Sequence, residues 1–338
     1  MAILIRNITK DTDRKSYLRI IAELTYLFLK YRVLKDLKSY RTCLMYKRDA
    51  GKINNYIPYR KLMTIINDYF KRNEKDPTLS NKIAFSEYLR TNNIPTAKFL
   101  GTIRKGIYYD IEDNPIPLKD NKNFVTAFSK LLDPFPSIFV KQIDSYGGKG
   151  IFKVNSSNIE DLTQKINPEY DYIVEETLTQ HLNLSAINPN CINTLRVMTY
   201  REGNNVSIPS TFLRMGIGNV HVDNASSGGI FINYDLNHNK LSKTAYTLFE
   251  YGGKSYNQHP DTNFIFESQG LIYPERIKDL ITKAALLFER QVIGWDIAYT
   301  PSGPVIIEGN ENPHIMMIQI TCKGILSNEL YKSMFRSI

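Results

Sequence analysis

Long apolar runs are missing from this chain of 338 residues. A bilayer-spanning helix needs roughly 20 consecutive apolar residues. The best stretch, Ile20 to Leu29, is short and contains Glu23. The opening MAILIRNITKDTDRK lacks the apolar core and small-residue cleavage site of a secretory signal. Cysteine is scarce: Cys43, Cys191 and Cys322 are odd in number and widely spaced, which suits neither a disulfide framework nor a zinc site. The five histidines form no HExxH or similar ligand pattern. No Cys/His or Ser/His/Asp constellation offers a side-chain nucleophile. These absences predict a protein of a reducing, cytoplasmic compartment.

What is present describes a globular chain with a lopsided charge. Apolar residues make up 42% and charged residues 23%, and the length allows two or three domains with a substantial core. The net charge is +9, but residues 1–75 hold 18 Lys and Arg against 7 Asp and Glu, leaving −2 on the other 263 residues. Such a basic segment suits an anionic membrane surface, nucleic acid or a polyanionic sugar. No recognised nucleic-acid motif accompanies it, so nucleic acid is not expected.

Apolar residues at Leu18, Ile21, Leu24, Phe28, Tyr31 and Leu34 predict an amphipathic helix over about 15–37. Its other face carries Lys15, Arg19, Lys30, Arg32, Lys35 and Lys38, as a membrane-surface helix or as a packed helix with a solvated basic face. A second helix is expected over 58–72, with Leu62, Ile65, Ile66, Tyr69 and Phe70 buried, and a third over 81–91, capped by Ser80. Strands are expected at 97–103, 138–141, 151–154, 170–174, 194–200 and 207–214. Helices are expected at 121–132 and from Pro274 to about Gln291.

Three stretches carry chemistry. Between two strands lies Ser145-Tyr146-Gly147-Gly148-Lys149-Gly150, preceded by Lys141. A glycine-rich loop leaves backbone N–H groups open to phosphate oxygens, and a lysine ending a buried strand beside it can neutralise a phosphate. It is not a Walker A loop, because the spacing and following helix are absent. An ordinary flexible hairpin fits the same residues. Arg196 and Arg214 sit in half-buried strands, where pairing with a carboxylate is the plain alternative to a functional role. The stretch Gly294 to Pro313 reads as a β-hairpin about a loop at Pro301 to Gly303, with Asp296 opposite Glu308. Glu308 and Asn310 share one strand face, so three oxygen-bearing side chains converge as hard cations such as Mg²⁺ require. The irregular loop Gly216 to Gly229 offers Asp223, Asn224 and Ser227, with His259 beyond it, as candidates for acceptor recognition. Asp223 and Asn224 serve equally well as caps of their own backbone.

In order, Lys141, the loop 145–150, Glu175-Glu176-x-Leu178, Arg196, Arg214, Asp296 and Glu308-x-Asn310 resemble the ATP-grasp superfamily. LRVMTY, TFLRMGIGNVHVDNASSGG, HPDT and GWDIAYTPSGPVIIEGN resemble its sugar-transfer-associated, polysaccharide-biosynthesis branch, over about 80–330. The resemblance implies an α+β fold whose two subdomains hold ATP between antiparallel sheets, with a helical basic segment at 1–75 and subdomains at 76–180 and 181–338. It implies Lys141 at the α-phosphate, Ser145 to Gly150 over the β- and γ-phosphates, and Glu175, Glu176 and Leu178 in the hinge at adenine and ribose. Asp296, Glu308 and Asn310 correspond to the ligands of two Mg²⁺ ions, with Mn²⁺ as an alternative. Arg214, and less directly Arg196, corresponds to the arginine facing the transferred phosphoryl group. A second nucleotide-contacting lysine finds no obvious position.

The activity implied is ATP-dependent carboxylate–amine ligation through an acylphosphate, on a carboxylate-bearing sugar and an amine in surface-polysaccharide biosynthesis. A kinase of a sugar or lipid-linked intermediate stays open as an alternative. So does a non-catalytic module that recruits glycosyltransferases, with residues 1–75 binding such a partner or the inner face of the membrane.

Overall fold

The computed structural model describes residues 8–32, 37–69, 76–145, 150–218, 222–267 and 270–335. The chain divides into two compact units. The first takes Met1–Glu74, Leu182–Trp295 and Asn310–Ile338; the second takes Lys75–His181 and Asp296–Gly309.

Helix α1 (Tyr17–Tyr31) opens on Ser16, whose hydroxyl accepts from the Arg19 N–H, and ends where Arg32 turns left-handed. That is short of the expected end at Leu37, and Val33 to Asp36 fall outside the described residues. The buried face also differs from expectation: Ile20, Glu23 and Leu27 face inward, while Leu18, Ile21 and Phe28 are exposed. Glu23 supplies the reason. Lys15 Nζ reaches both its carboxylate oxygens at 2.9 and 2.8 Å, Tyr40 Oη donates at 2.7 Å and Arg19 Nε at 3.1 Å. A buried carboxylate needs such partners, and Lys15, expected in solvent, is buried with it. The helix is apolar around most of its circumference, so spacing alone does not choose the face.

Helices α2 (Leu37–Thr42) and α3 (Tyr59–Tyr69) follow. Leu62 is buried as expected; the side chains of Ile65, Ile66, Tyr69 and Phe70 lie outside the description. The Gln319 carboxamide accepts from the Ile57 N–H at 2.8 Å and donates to the Ile57 carbonyl at 3.0 Å. This buried clamp and a shared apolar cluster from Ile8 to Phe335 make the N-terminal stretch part of the first unit's core.

In the second unit, Asp76 caps α4 (Pro77–Ser80), and Asn81 rather than Ser80 caps α5 (Lys82–Thr91), accepting from Ile83 and Ala84. Then come β1 (Phe99–Arg104), β2 (Ile107–Tyr109), β3 (Pro115–Pro117), α6 (Asn121–Leu132), β4 (Ile138–Gln142), β5 (Ile151–Val154), α7 (Ile159–Lys165) and β6 (Tyr172–Glu176). The sheet order is β3-β2-β1-β6-β4-β5, with antiparallel registers throughout. Phe124 and Phe128 of α6 pack on it, their rings 4.3 Å apart, within a core that includes Val140 and Val174. The central place of β6 brings Lys141 and Glu175 together.

The first unit resumes with α8 (Leu182–Ser185), β7 (Leu195–Glu202), β8 (Asn205–Met215), β9 (Ile230–Asp235), β10 (Lys240–Leu241), β11 (Ala245–Tyr246) and β12 (Ser255–Tyr256). Helix α9 (Pro274–Leu286) ends before the expected Gln291. Next in the chain are β13 (Val292–Thr300) and β14 (Gly303–Asn310), whose residues Asp296–Gly309 belong to the second unit, and then α10 (Ile315–Thr321) and α11 (Glu329–Met334) of the first. The sheet order is β12-β11-β9-β8-β7-β13-β14, with β10 on β9. The hairpin is present, its turn reduced to Pro301 and Ser302. No helix among the described residues is long and apolar enough to cross a membrane.

Gly309 sets a close approach within the second unit. A Cβ there would lie 2.7 Å from Leu79 Cδ2 and 2.9 Å from Phe85 Cε2, so α4 and α5 rest on β14 where no side chain intervenes. Gly309→Ala is expected to lower the urea midpoint, losing about 1–3 kcal/mol to overpacking; an unchanged midpoint would mean that Leu79 and Phe85 yield freely.

Candidate active site

The second unit gathers two lysines and several carboxylates. Lys141, near the end of β4, places Nζ 2.6 Å from Glu175 Oε2, and both side chains are largely buried. Phe139 pairs with Glu175 and Lys141 with Ile173, so the two charged side chains lie on the same sheet face, one step apart along the ladder. Lys82, the first residue of α5, donates from Nζ to the Ile143 carbonyl at 2.8 Å and the Ser145 carbonyl at 2.7 Å. Burial is the largest influence on its ammonium and holds it below the usual lysine range. Glu308, Asp144 and Glu175 oppose that effect, while Lys141 adds to it.

Lys82 therefore grips the entry to the glycine-rich loop. Ser145 Oγ donates to the Gln142 carbonyl at 2.9 Å, and Gly150 leaves the loop with φ at +64°, a left-handed turn that suits glycine. The expectations for Tyr146, Gly147, Gly148 and Lys149 lie outside the described residues. Beyond Glu175, the Glu176 carboxylate accepts from the Lys98 N–H at 2.9 Å, and Leu178 is half-buried. Asp296 is buried and Glu308 half-buried, both in this unit.

In the first unit Arg214 donates from Nε and Nη2 to Thr194 Oγ1 at 3.0 and 2.6 Å. Thr194 Oγ1 in turn donates to Asp223, whose Oδ2 also accepts from the Thr194 N–H at 2.9 Å and lies 3.5 Å from Arg214 Nε. Asp223 is thus a buried partner of Arg214. Asn224 accepts from the Ser226 N–H at 3.1 Å and caps a short 3₁₀ turn, on which Ser227 is exposed. His259 is fully buried, with Nε2 2.9 Å from the Gly216 carbonyl and Nδ1 accepting from the Asp261 N–H. That contact ties His259 to Gly216, where the loop begins. Arg196 is buried beside Gly294. Asn310 Nδ2 donates to the Gly294 carbonyl at 3.3 Å, which leaves its amide oxygen as the atom to offer a cation.

The sequence matches the family model described as sugar-transfer associated ATP-grasp over residues 63–333. The chain belongs to the sugar-transfer associated ATP-grasp family. No curated protein matches it. Among solved structures, this ATP-grasp chain is similar to D-alanyl-alanine synthetase A from Vibrio cholerae, with 15% identity and a TM-score of 0.46 over 77% of this chain and 65% of that one. It is similar to carboxyaminoimidazole ribonucleotide synthase from Aspergillus clavatus, with 15% identity and a TM-score of 0.42 over 74% and 52%. For the D-alanine-D-alanine ligase from Coxiella burnetii the values are 12% and 0.41 over 77% and 58%. The ATP-grasp chain thus spans between half and two thirds of the length of these neighbours.

Lys82 is the residue that sequence reasoning missed. A usable signal was present: a lysine at the first position of a helix opposes the positive end of the helix dipole, and a locally unfavourable choice often marks a site. Because burial lowers its pKa, the unfolded chain binds this proton more tightly, and Lys82 should make the fold more stable as pH rises toward the ordinary lysine range. Lys82→Met is expected to lack that rise in urea unfolding measured from neutral to alkaline pH; parallel profiles would show that Lys82 is not held below its usual range.

Proposed function

We propose that the protein is an ATP- and Mg²⁺-dependent carboxylate–amine ligase acting on a carboxylate-bearing sugar, such as a uronic acid, in surface-polysaccharide biosynthesis. The observation that carries the reading is the cluster of Lys82 and Lys141 with Glu175 and Glu308 beside the glycine-rich loop, within a chain of this family. Phosphoryl transfer depends on positioning and on neutralising charge, and a pair of half-buried cations beside a glycine-rich sequence suits that task. Lys141 exchanges its Glu175 contact for the α-phosphate, and Lys82 holds the loop 145–150 over the β- and γ-phosphates. Glu175, Glu176 and Leu178 border adenine and ribose. Arg214, oriented by Thr194 and Asp223, meets the transferred phosphoryl group, with Arg196 in the same role or at the carboxylate.

Asp296, Glu308 and Asn310 fit a hard cation: all three offer oxygen, and neither sulfur nor imidazole is in the set. Mg²⁺ there would offset the negative charge of the phosphates. In the first step a carboxylate oxygen of the substrate attacks the γ-phosphorus, the bond to the β–γ bridging oxygen breaks, and ADP leaves. In the second, the amine nitrogen attacks the acylphosphate carbon, phosphate departs with the bonding pair, and the amine loses its proton as the amide forms. Neither step calls on a side-chain nucleophile. Such an enzyme works in the cytoplasm, where ATP is available, and residues 1–75 bring it to a glycosyltransferase or to an anionic membrane surface.

Glu308→Gln is expected to reduce ADP release at least about a hundredfold while leaving unfolding within about 1 kcal/mol of the parent. Turnover at the parent rate would remove Glu308 from the metal site. Lys82→Met should weaken ATP binding by about tenfold to a hundredfold in calorimetry, the worth of a charged hydrogen bond; undiminished affinity would confine Lys82 to bracing the loop.

A further inference from the structure

Of the large apolar side chains exposed on this protein, six lie on the 15-residue helix α1: Tyr17, Leu18, Ile21, Tyr26, Phe28 and Leu29. Leu18, Leu29 and Ile21 are 83%, 68% and 61% exposed, which sets them apart from half-covered residues at the edge of a core. At the helical pitch, Tyr17, Phe28, Ile21, Leu18 and Leu29 occupy an arc of roughly 120°, away from the buried Ile20, Glu23 and Leu27. The helix therefore has two apolar faces, and among the described residues only one is packed into the fold. Scattered exposed leucines need no account, but an apolar stripe interrupted within the helix only by Thr25 does.

The charges on α1 are sorted as well. Its single carboxylate, Glu23, is turned inward and satisfied by Lys15, Tyr40 and Arg19. The charges left at the surface are cationic. The Arg19 side chain is 64% exposed, Lys30 Nζ lies 5.4 and 5.2 Å from the Tyr26 and Tyr31 rings, and Arg32 ends the helix. The Arg14 guanidinium sits 3.8 Å from the Tyr17 ring centroid. Aromatic and aliphatic groups bordered by snorkelling cations are what the boundary between acyl chains and anionic headgroups accepts.

We propose that the outer face of α1 docks the protein on an anionic lipid bilayer, with the helix lying in the plane of the interface. Its 15 residues extend about 22 Å, too short to span the hydrocarbon layer and long enough to lie along it. Charge decides against a second copy as the occupant. Two segments with 18 cations and 7 acids each would repel, whereas anionic headgroups attract them. This proposal deepens the membrane-surface part of the reading above and is independent of the nucleotide chemistry.

The test is co-sedimentation of the full chain with phosphatidylglycerol–phosphatidylcholine vesicles and with pure phosphatidylcholine vesicles. The parent should bind the anionic vesicles, and high salt should weaken that binding about tenfold. Leu18→Glu combined with Leu29→Glu alters two exposed side chains, so the unfolding midpoint and ATP binding should persist while vesicle binding falls at least about tenfold. No binding to anionic vesicles, equal binding to neutral ones, or undiminished binding by the double variant would each overturn the proposal. So would a parent dimer that the double variant converts to monomer, which would make the face a contact between copies. Normal vesicle binding without ATP turnover would count against the ligase reading alone.

Discussion

A missing side chain sets the geometry of the second unit. At Gly309 there is no room for a Cβ between β14 and the side chains of Leu79 and Phe85. That contact seats the helix beginning at Lys82 on the strand that carries Glu308. Within reach of their mutual fields lie Lys82, Lys141, Asp144, Glu175 and Glu308. The glycine-rich loop then starts under Lys82, whose ammonium holds two of the carbonyls at its entry. A side chain at position 309 would push the helix outward and carry the lysine away from both the loop and the carboxylate.

Buried charge is used in two ways in this molecule. Lys15 with Glu23, and Arg290 with Glu311 at 2.6 Å, are close pairs that compensate each other where they stand. Such pairs contribute little net stability but fix the packing of the elements that bear them. The Lys82 ammonium is different: it donates to two backbone carbonyls, and Glu308, Asp144 and Glu175 together favour its charge against the cost of burial. A depressed lysine beside other charges is a recurring feature of functional sites. Arg214 combines both uses, since Thr194 connects it to Asp223 while orienting its guanidinium.

Much of this was readable in the chain. The hairpin of β13 and β14, the strands around the glycine-rich loop and the helices at 121–132 and from Pro274 announce themselves through period and turn residues. The face of α1 was not readable, because its apolar residues surround the helix and the decision rests with Tyr40, seventeen residues on. Lys82 carries a signal in its place at a helix start, but the two backbone carbonyls it grips leave no trace in side-chain patterns. His259 looked accessible in a polar loop, but its contact with Gly216 joins positions 43 residues apart. Local pattern reports local structure; these three cases turn on contacts between distant residues.

The central claim is that the lysine cluster forms a nucleotide site completed by a hard cation. Calorimetric titration of the intact chain with ATP, in the presence of Mg²⁺ and after its removal by chelation, addresses this directly. The account predicts saturable binding of one nucleotide per chain that tightens when Mg²⁺ is supplied. An absence of binding heat at every Mg²⁺ concentration would contradict it.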